Sequence, residues 1–457
     1  MTYPLTAELG KLVGRTRFTD VPSAAVEAMT GALVDTVGVM IAGSREPAPT
    51  LLRQMLQSAG REATLVGPPG RASAAEAAWI NGTAAHALDY DDVAQRGGHA
   101  SAVLLPAILA QAEASGASGR DLVLAYVVGY EVFTEVASRD ADQHHDKGWH
   151  PTPVFGALGA AAACASLLRL DAGQSAMAIA LATSQAGGLM SNFGTMTKPF
   201  HAGRAAHAGV VSARLAAAGF TAAMDALEHT PGFLQGVSPH GRVDLERPVP
   251  TKPDWALLGH NRLAVKKYPM CYCTHRVLDG ALDLVVAVRP DPNAVRTVTV
   301  TLSRRNAQIL RNHAPVTGLE AKFSAEFAIA TSLVRRRAGL AELQDEFVQS
   351  PEIQALMKKV VIKEDTRDDP RRPGYAIHDR VVVAMQDGTL HDSGPISVVR
   401  GDPQAPLTRQ ELWLKFDDCV RAGAPGLKPR ELFEALLSLP DAEQLAGILD
   451  KTMLHVA

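Results

Sequence analysis

The sequence predicts a mainly α protein, in which an all-α helical domain built from both chain ends carries an inserted α+β domain. Three observations predict it. Apolar residues recur at helical spacing up to about residue 260, strand-like alternation occurs between residues 295 and 391, and helical spacing returns after Pro406. We expect domains at residues 1–264, 265–406 and 407–457, with the last packing back on the first.

Length, charge and cysteine content narrow the classes of protein. A chain of 457 residues exceeds one typical core, and a net charge of −3 offers no basic face to nucleic acid. Four cysteines give neither a disulfide framework nor paired zinc spacings. The start lacks a signal peptide, and the most apolar run, residues 153–168, is shorter than the about 20 residues of a membrane span. We expect a cytoplasmic protein that binds neither nucleic acid nor membrane.

The helices of the first domain follow in order. Pro22 marks a helix start, and apolar residues follow it at helical spacing up to Val37. Many alanines and glycines on the helix faces predict closely approaching axes. Further helices are predicted at residues 51–59, 74–88, 101–115, 121–138, from 150 to about 167, 174–185 and 201–218.

The character of the chain changes near Leu263. Residues 295–302 alternate as a half-buried strand does, residues 359–364 form a second candidate strand, and residues 380–391 predict a hairpin turning at Asp387-Gly388. A helix from about 324 to 337 lies between them. After Pro406, Thr408 can cap a helix, and further helices follow Pro429.

The stretch from Gly187 to Gly209 is the first candidate site. Lys198 is predicted in a loop, because Pro199 biases the preceding residue away from helix, with the next helix starting near His201. An ammonium among glycines and threonines suits a carboxylate ligand. The alternative is a plain helix connection with a solvated lysine.

Four other segments carry polar residues at predicted helix ends. Residues 81–92 end in three acids, which a helix C-terminus disfavours unless a cation compensates; a solvated acidic patch is the alternative. His99 follows two glycines just before a helix. His144, His145 and His150 suggest a metal site, but their spacing matches no standard zinc motif. Residues 266–275 place lysines, tyrosines and a histidine at a domain junction, where anionic ligands often bind.

Five segments in the same order resemble the MmgE/PrpD family, which includes 2-methylcitrate dehydratase, cis-aconitate decarboxylase and iminodisuccinate epimerase. They read Ala87-Leu-Asp-Tyr-Asp-Asp, Gly98-His-Ala-Ser-Ala-Val-Leu-Leu-Pro, Gly148-Trp-His-Pro-Thr, Thr197-Lys-Pro-Phe-His-Ala-Gly-Arg-Ala-Ala and Lys267-Tyr-Pro-Met-Cys-Tyr-Cys-Thr-His. The resemblance covers nearly the whole chain. It implies a helical domain with an α+β lid, a homodimer, and neither an organic cofactor nor a metal.

The resemblance implies that His99, His150, Lys198 and His275 lie around the substrate and that Asp89 is the first acid of the family's acidic motif. From the chemistry of the residues we predict the following roles. Lys198 and Lys267 would bind substrate carboxylates, and His150 and His275 would transfer protons. Three further roles are orientation of substrate by His99, orientation of a histidine by Asp89, and substrate contacts of Tyr268 and His201. Val93 stands where the decarboxylase members carry threonine, and their lid tyrosine has no clear counterpart in this sequence.

The sequence therefore predicts a cofactor-free lyase or isomerase acting on a small di- or tricarboxylate. The first prediction is dehydration of a 2-methylcitrate-like acid, and the alternatives are cis-aconitate decarboxylase-like and iminodisuccinate epimerase-like activities. Two alternatives come from other classes: a metal-dependent hydrolase using His144, His145 and His150, and a non-catalytic carboxylate-binding scaffold.

Overall fold

The computed structural model describes residues 3–94, 96–250, 254–259, 261–370 and 372–454, without the side chains of 368 and 372–375. The chain divides into two compact units. The first comprises Met1–Val265 together with Arg409–Ala457, and the second comprises Lys266–Thr408. The first unit is helical and the second combines helices with a sheet, so the predicted fold class is confirmed.

The first unit is built from helices of up to 21 residues, linked by short loops. Two-residue strands form two small antiparallel ladders, of β1 (Ala63–Thr64) with β2 (Arg71–Ala72) and of β3 (Val93–Ala94) with β4 (Leu263–Ala264). The helices are α1 (Leu5–Arg15), α2 (Ser23–Gly43), α3 (Pro47–Leu56), α4 (Ala74–Ala87), α5 (Ser101–Ser115), α6 (Gly119–Ala137), α7 (Pro151–Leu167), α8 (Ala172–Thr183), α9 (Thr197–Ala217) and α10 (Phe233–Val237).

Small residues let α4 and α9 approach closely. A Cβ on Gly82 would lie 2.8 Å from the Gly203 Cα, and one on Gly203 would lie 2.2 Å from the Trp79 carbonyl oxygen. Real side chains do not tolerate such distances, so glycine is required at this crossing. The close packing brings the end of α4 beside the start of α9, where the candidate site lies.

Helix α2 is the one helix in the described ranges that is long and apolar enough to cross a membrane. From the sequence, only residues 153–168 were considered as a possible membrane span, and α2 was not considered. However, 72% of its most apolar window is buried inside the structure. Core helices pass the same test of length and composition, so the feature is weak evidence for a span.

The second unit has a four-stranded sheet in the order β10-β9-β5-β6. β5 pairs in parallel with β6 and antiparallel with β9, which turns into β10 through Gly388 at φ +90°. The elements are α11 (His275–Val288), β5 (Val295–Ser303), α12 (Arg304–Ile309), α13 (Gly318–Ala321), α14 (Ala325–Arg335), α15 (Asp345–Val348), α16 (Pro351–Met357), β6 (Val360–Asp365), β7 (Asp368–Asp369), β8 (Arg372–Ala376), β9 (Arg380–Met385) and β10 (Leu390–Asp392).

The chain then returns to the first unit with α17 (Arg409–Gly423), α18 (Pro429–Leu437) and α19 (Ala446–Leu449). Helix α17 packs on α2, where Phe416 covers Gly38 and a Cβ on Gly423 would lie 2.0 Å from the Ile41 carbonyl oxygen. Lys415 of α17 forms a 2.5 Å ion pair with Asp35 of α2, and both side chains are buried. The C-terminal helices are therefore part of the first unit's core.

Candidate active site

The site begins at residues 88–92, named here the acid loop, which follow α4. Asp89 has φ +53°, a left-handed conformation that Asp tolerates better than most residues and that turns the chain sharply. Two lysines bind this loop: Lys198 donates to Asp89, and Lys415 donates to the Tyr90 carbonyl oxygen at 2.8 Å. The loop is therefore held at two successive residues, Asp89 and Tyr90.

Lys198 lies in the first turn of α9, so its prediction as a loop residue, with a helix from His201, was wrong. Pro199 is the third helical residue, where its missing N–H costs no intrahelical bond and its φ suits the helix. The Lys198 Nζ donates to Asp89 Oδ1 at 2.6 Å, and both side chains are only 11% exposed. The ammonium also lies 5.5 Å from the centre of the Phe193 ring. Lys198 is thus a largely buried, paired cation.

His99 is positioned by the turn that precedes α5. Gly98 has φ +85°, and a Cβ there would lie 2.5 Å from Thr152 Oγ1. Because the glycine leaves room, the His99 backbone N–H donates to that hydroxyl at 3.0 Å. The ring then places Nε2 3.9 Å from Asp89 Oδ1 and Nδ1 2.9 Å from Asp91 Oδ2.

His86 and Asp91 are buried beside His99. The His86 Nδ1 lies 3.1 and 3.0 Å from the two Asp91 carboxylate oxygens, and both side chains are fully buried. The His86 ring centre is 4.5 Å from that of His99 and 5.7 Å from that of His150, which it faces at 23°. His86 therefore lies between two histidines that the sequence predicted in the site.

His150 is the N-cap residue of α7 and meets His201 of α9. The two Nδ1 atoms lie 3.2 Å apart. Gly188, at φ +151°, accepts the His150 backbone N–H at 2.9 Å, and a Cβ there would lie 3.1 Å from the His201 ring. Phe193 contacts the other side of His150 edge-on at 4.9 Å. The loop before α9 thus packs directly on the histidine pair.

Burial keeps these histidines neutral. It lowers the pKa of His86 to about 4. Burial, together with the neighbouring His86 and the Lys198 ammonium, holds the pKa of His150 well below its usual value. Burial and Lys198 also lower the pKa of His201. At neutral pH, one imidazole of the His150–His201 pair therefore carries its proton on Nδ1 and donates a hydrogen bond to the Nδ1 of the other.

The acid loop's two later carboxyls differ in protonation. Burial alone would raise the pKa of Asp91, but His86 and His99 outweigh it and hold that pKa well below its usual value. Burial raises the pKa of Asp92 to about 8, against the hydrogen bond that Ser101 donates to it. Asp91 is therefore ionised at neutral pH, whereas Asp92 is mostly protonated.

Three predicted site residues lie in the second unit. Tyr268 is buried, and its hydroxyl donates to Asp279 Oδ1 at 2.6 Å, which in turn binds Arg400. His275 is the first residue of α11 and fully buried, with Nε2 3.2 Å from the Met270 carbonyl oxygen. Lys267 is partly buried. Their predicted substrate contacts stay predictions.

The residues that could hold a metal ion differ from those that the sequence predicted. Within the described part of the chain, the clustered donors are His86, Asp89, Asp91 and His99, whose ligand atoms lie within 4.8 Å of one another, and not the group around His144. An ion there would have to compete with the Lys198 ammonium at Asp89 and break the His86–Asp91 contact. The donor set therefore fits a proton-transfer network better than a resident metal.

The first unit brings together Asp89, His99, His150, Lys198 and His201, all predicted from sequence. His86 and Asp91 were missed, although both lie inside the segment 81–92 that was singled out. A histidine in the last turn of an otherwise Ala-rich helix, five residues before an acid, was the available signal.

Comparison with known proteins identifies the family of this chain. Residues 7–246 match the MmgE/PrpD N-terminal domain and residues 268–436 match the C-terminal domain of the same family. A cis-aconitate decarboxylase from Mus musculus is 30% identical over 87% of this chain and 81% of its own length. A cis-aconitate decarboxylase-like protein, oryM, from Aspergillus oryzae is 27% identical over 97% of this chain and 96% of its own. A cis-aconitate decarboxylase from Aspergillus terreus is 23% identical over 98% and 95%. The chain belongs to the MmgE/PrpD family of enzymes, as its five motifs predicted.

Proposed function

We propose that this lyase decarboxylates a small unsaturated tricarboxylate of the cis-aconitate type without a cofactor. The observation that carries the proposal is that Lys198 and His99 meet at Asp89 of the acid loop, while His150, which pairs with His201, faces His86 beside them. The similarity to cis-aconitate decarboxylases along most of their length supports the choice of substrate class.

The chemistry needs a stabilised electron pair and a delivered proton. When the C–C bond to a carboxylate breaks, CO₂ leaves and the bonding pair forms a new double bond. The electrons of the old double bond move to the carbon beside a remaining carboxylate, and a proton then adds to that carbon. A cation beside that carboxylate lowers the cost of the developing charge, and a histidine supplies the proton.

The residues of the first unit suit these tasks. Lys198 is a buried cation that can turn to a substrate carboxylate while remaining near Asp89. His150 and His201 are neutral because burial lowers their pKa, and an arriving polyanion raises it, so that binding charges them. We assign proton delivery to His150, with His201 as its partner, and carboxylate binding to Lys198.

Dehydration of a 2-methylcitrate-like hydroxy acid is the second candidate. Val93, in β3, stands where the decarboxylase members carry threonine, so this chain departs from them beside the acid loop. Dehydration and decarboxylation both develop carbanion-like charge beside a carboxylate. The same lysine and histidines therefore serve either reaction, and the substrate decides.

The deciding experiment offers the pure protein cis-aconitate, 2-methylcitrate, citrate and iminodisuccinate, with products followed by ¹H NMR. We expect CO₂ release and a methylene-bearing dicarboxylate from cis-aconitate only. Turnover of 2-methylcitrate instead would select dehydration. Thermal stabilisation by the acids without any product would indicate a non-catalytic scaffold and overturn the proposal.

A variant pair sharpens the test. His150→Gln should lower kcat by about 10²–10⁴-fold, the usual contribution of proton transfer. His229→Gln serves as the control, because that side chain is more than half exposed and pairs with Asp225 outside the site. Equal activity of the two variants would remove His150 from the mechanism.

A further inference from the structure

We propose that Asp91 is a positioning residue that fixes His86 and His99 in one tautomer, with the proton on Nδ1, so that His99 presents a bare Nε2 toward Asp89 and Lys198. The inference deepens the proposed function and rests on it for its kinetic consequence. Its tautomer claim concerns the protein alone.

The geometry places one carboxylate between two imidazoles. His86 Nδ1 lies 3.1 and 3.0 Å from the two Asp91 oxygens, and His99 Nδ1 lies 2.9 Å from Oδ2. His99 Nδ1 is buried, and the described residues offer it no hydrogen bond apart from this close contact with Asp91 Oδ2. Both rings thus turn the same nitrogen toward the same carboxylate.

The contacts with Asp91 determine which nitrogen of His86 and His99 carries the proton. An ionised carboxylate only accepts hydrogen bonds, and burial makes an unsatisfied charge costly. Asp91 is fully buried and ionised, so both protons in these contacts must come from the histidines. Each neutral imidazole carries one proton, and that proton resides on Nδ1.

The consequence appears at the opposite side of each ring. His99 Nε2 lies 3.9 Å from Asp89 Oδ1, the atom that Lys198 also binds, and is left with a lone pair. The buried His86 Nε2 has no hydrogen-bond partner among the described residues. His86 thereby satisfies the buried charge of Asp91, and leaves His99 as the member of the pair that faces the candidate substrate position.

Asparagine at position 91 would weaken this arrangement while keeping the shape. Its amide oxygen could still accept from both rings, but that oxygen carries no charge, and the NH₂ group that replaces the other oxygen is a donor. The preference for a proton on both Nδ1 atoms is thereby lost, and a ring that accepts from the NH₂ group carries its proton on Nε2. A wrong tautomer of this kind costs about 10⁴-fold in kcat in the serine protease triad.

The first measurement is ¹⁵N NMR of histidine-labelled enzyme without substrate, with His86→Asn and His99→Asn used to assign signals. We expect both rings of the wild type to carry a proton on Nδ1 and none on Nε2. An Nε2-protonated His99 in the wild type overturns the proposal, whether or not Asp91→Asn folds.

The second measurement is the pH profile of kcat and KM on the accepted substrate. Asp91→Asn should lower kcat by about 10²–10⁴-fold and shift the profile, with KM nearly unchanged, and Asp91→Glu should recover part of kcat. Asp225→Asn is the control, since that carboxylate is half exposed and pairs with His229 outside the site, and its kcat should stay near the wild-type value.

The two measurements test the positioning role of Asp91 and the proposed function separately. Wild-type kinetics in Asp91→Asn overturn the positioning role. A wild type that turns over none of the four acids defeats the proposed function, and the NMR result still decides the tautomers.

Discussion

Replacing Lys198 by methionine tests the centre of the site. Methionine keeps most of the side-chain volume and removes the ammonium that donates to Asp89 Oδ1 at 2.6 Å. A hydrogen bond to a charged group contributes about 1.5–3 kcal/mol, and each ~1.36 kcal/mol is a factor of ten. If the ammonium binds a substrate carboxylate with similar strength, kcat/KM should fall by about ten- to a hundredfold.

The same change should also lower stability, because Asp89 then keeps a largely buried charge without its partner. Breaking a fully buried pair costs about 3–5 kcal/mol, and the 11% exposure of both side chains reduces this to about 1.5–3 kcal/mol. A double-mutant cycle with Asp89→Asn, measured by urea unfolding, should give a coupling energy of that size.

The assay must separate the two effects. Activity is measured well below the melting temperature of each variant, so that every molecule counted is folded. Lys363→Met, on the exposed side of β6, is the control and should match the wild type in both measurements. A folded Lys198→Met enzyme with kcat/KM within twofold of the control would reduce Lys198 to a structural partner of Asp89 and refute its role in carboxylate binding.

Four other predictions concern the rest of the molecule. Lys415→Met removes the buried ammonium that pairs with Asp35 and should cost about 3–5 kcal/mol of unfolding free energy, against about 0–1 kcal/mol for Arg421→Ala, whose guanidinium is exposed; equal losses in urea unfolding would contradict this. Burial raises the pKa of Asp92 to about 8, so its stabilising effect is fully present below about pH 4 and is lost progressively as pH rises to about 8; the melting temperature of Asp92→Asn relative to wild type should therefore rise between about pH 5 and 8 and level off above that, and a flat difference would place that pKa elsewhere. Chelator treatment followed by metal analysis should leave activity unchanged, and activity that is lost and then restored by zinc or manganese would revive the hydrolase alternative. Light scattering should give a dimer of the 48.4 kDa chain, and a single monomeric species at micromolar concentration would contradict it.

The spacing of apolar residues along the chain was enough to predict the fold class. Helix α5 was predicted at residues 101–115 and lies at Ser101–Ser115, and the strand predicted from residue 295 is β5. Both rest on the spacing of neighbouring apolar residues, which the chain shows without its tertiary contacts. The family membership also came from sequence, because its five motifs occur in order.

Predictions from local sequence were wrong where contacts with distant residues outweighed a short-range conformational preference. The bias against helix before Pro199 is a steric tendency, and α9 nevertheless begins at Thr197. The ion pair of Lys198 with Asp89, 109 residues away, lies at that helix start. The histidines at 144 and 145 are adjacent in sequence, yet the clustered donors come from other segments.

The sequence by itself determined the periodic elements, the family and most of the residues that gather in the first unit. Only the tertiary structure decided their partners: Lys198 with Asp89, His150 with His201, and the unforeseen His86 and Asp91 beneath His99. The physical reason is that periodicity is a property of neighbouring residues. Protonation states and tautomers depend instead on burial and on charges a few ångströms away, which are brought together by close helix packing such as that at Gly82 and Gly203.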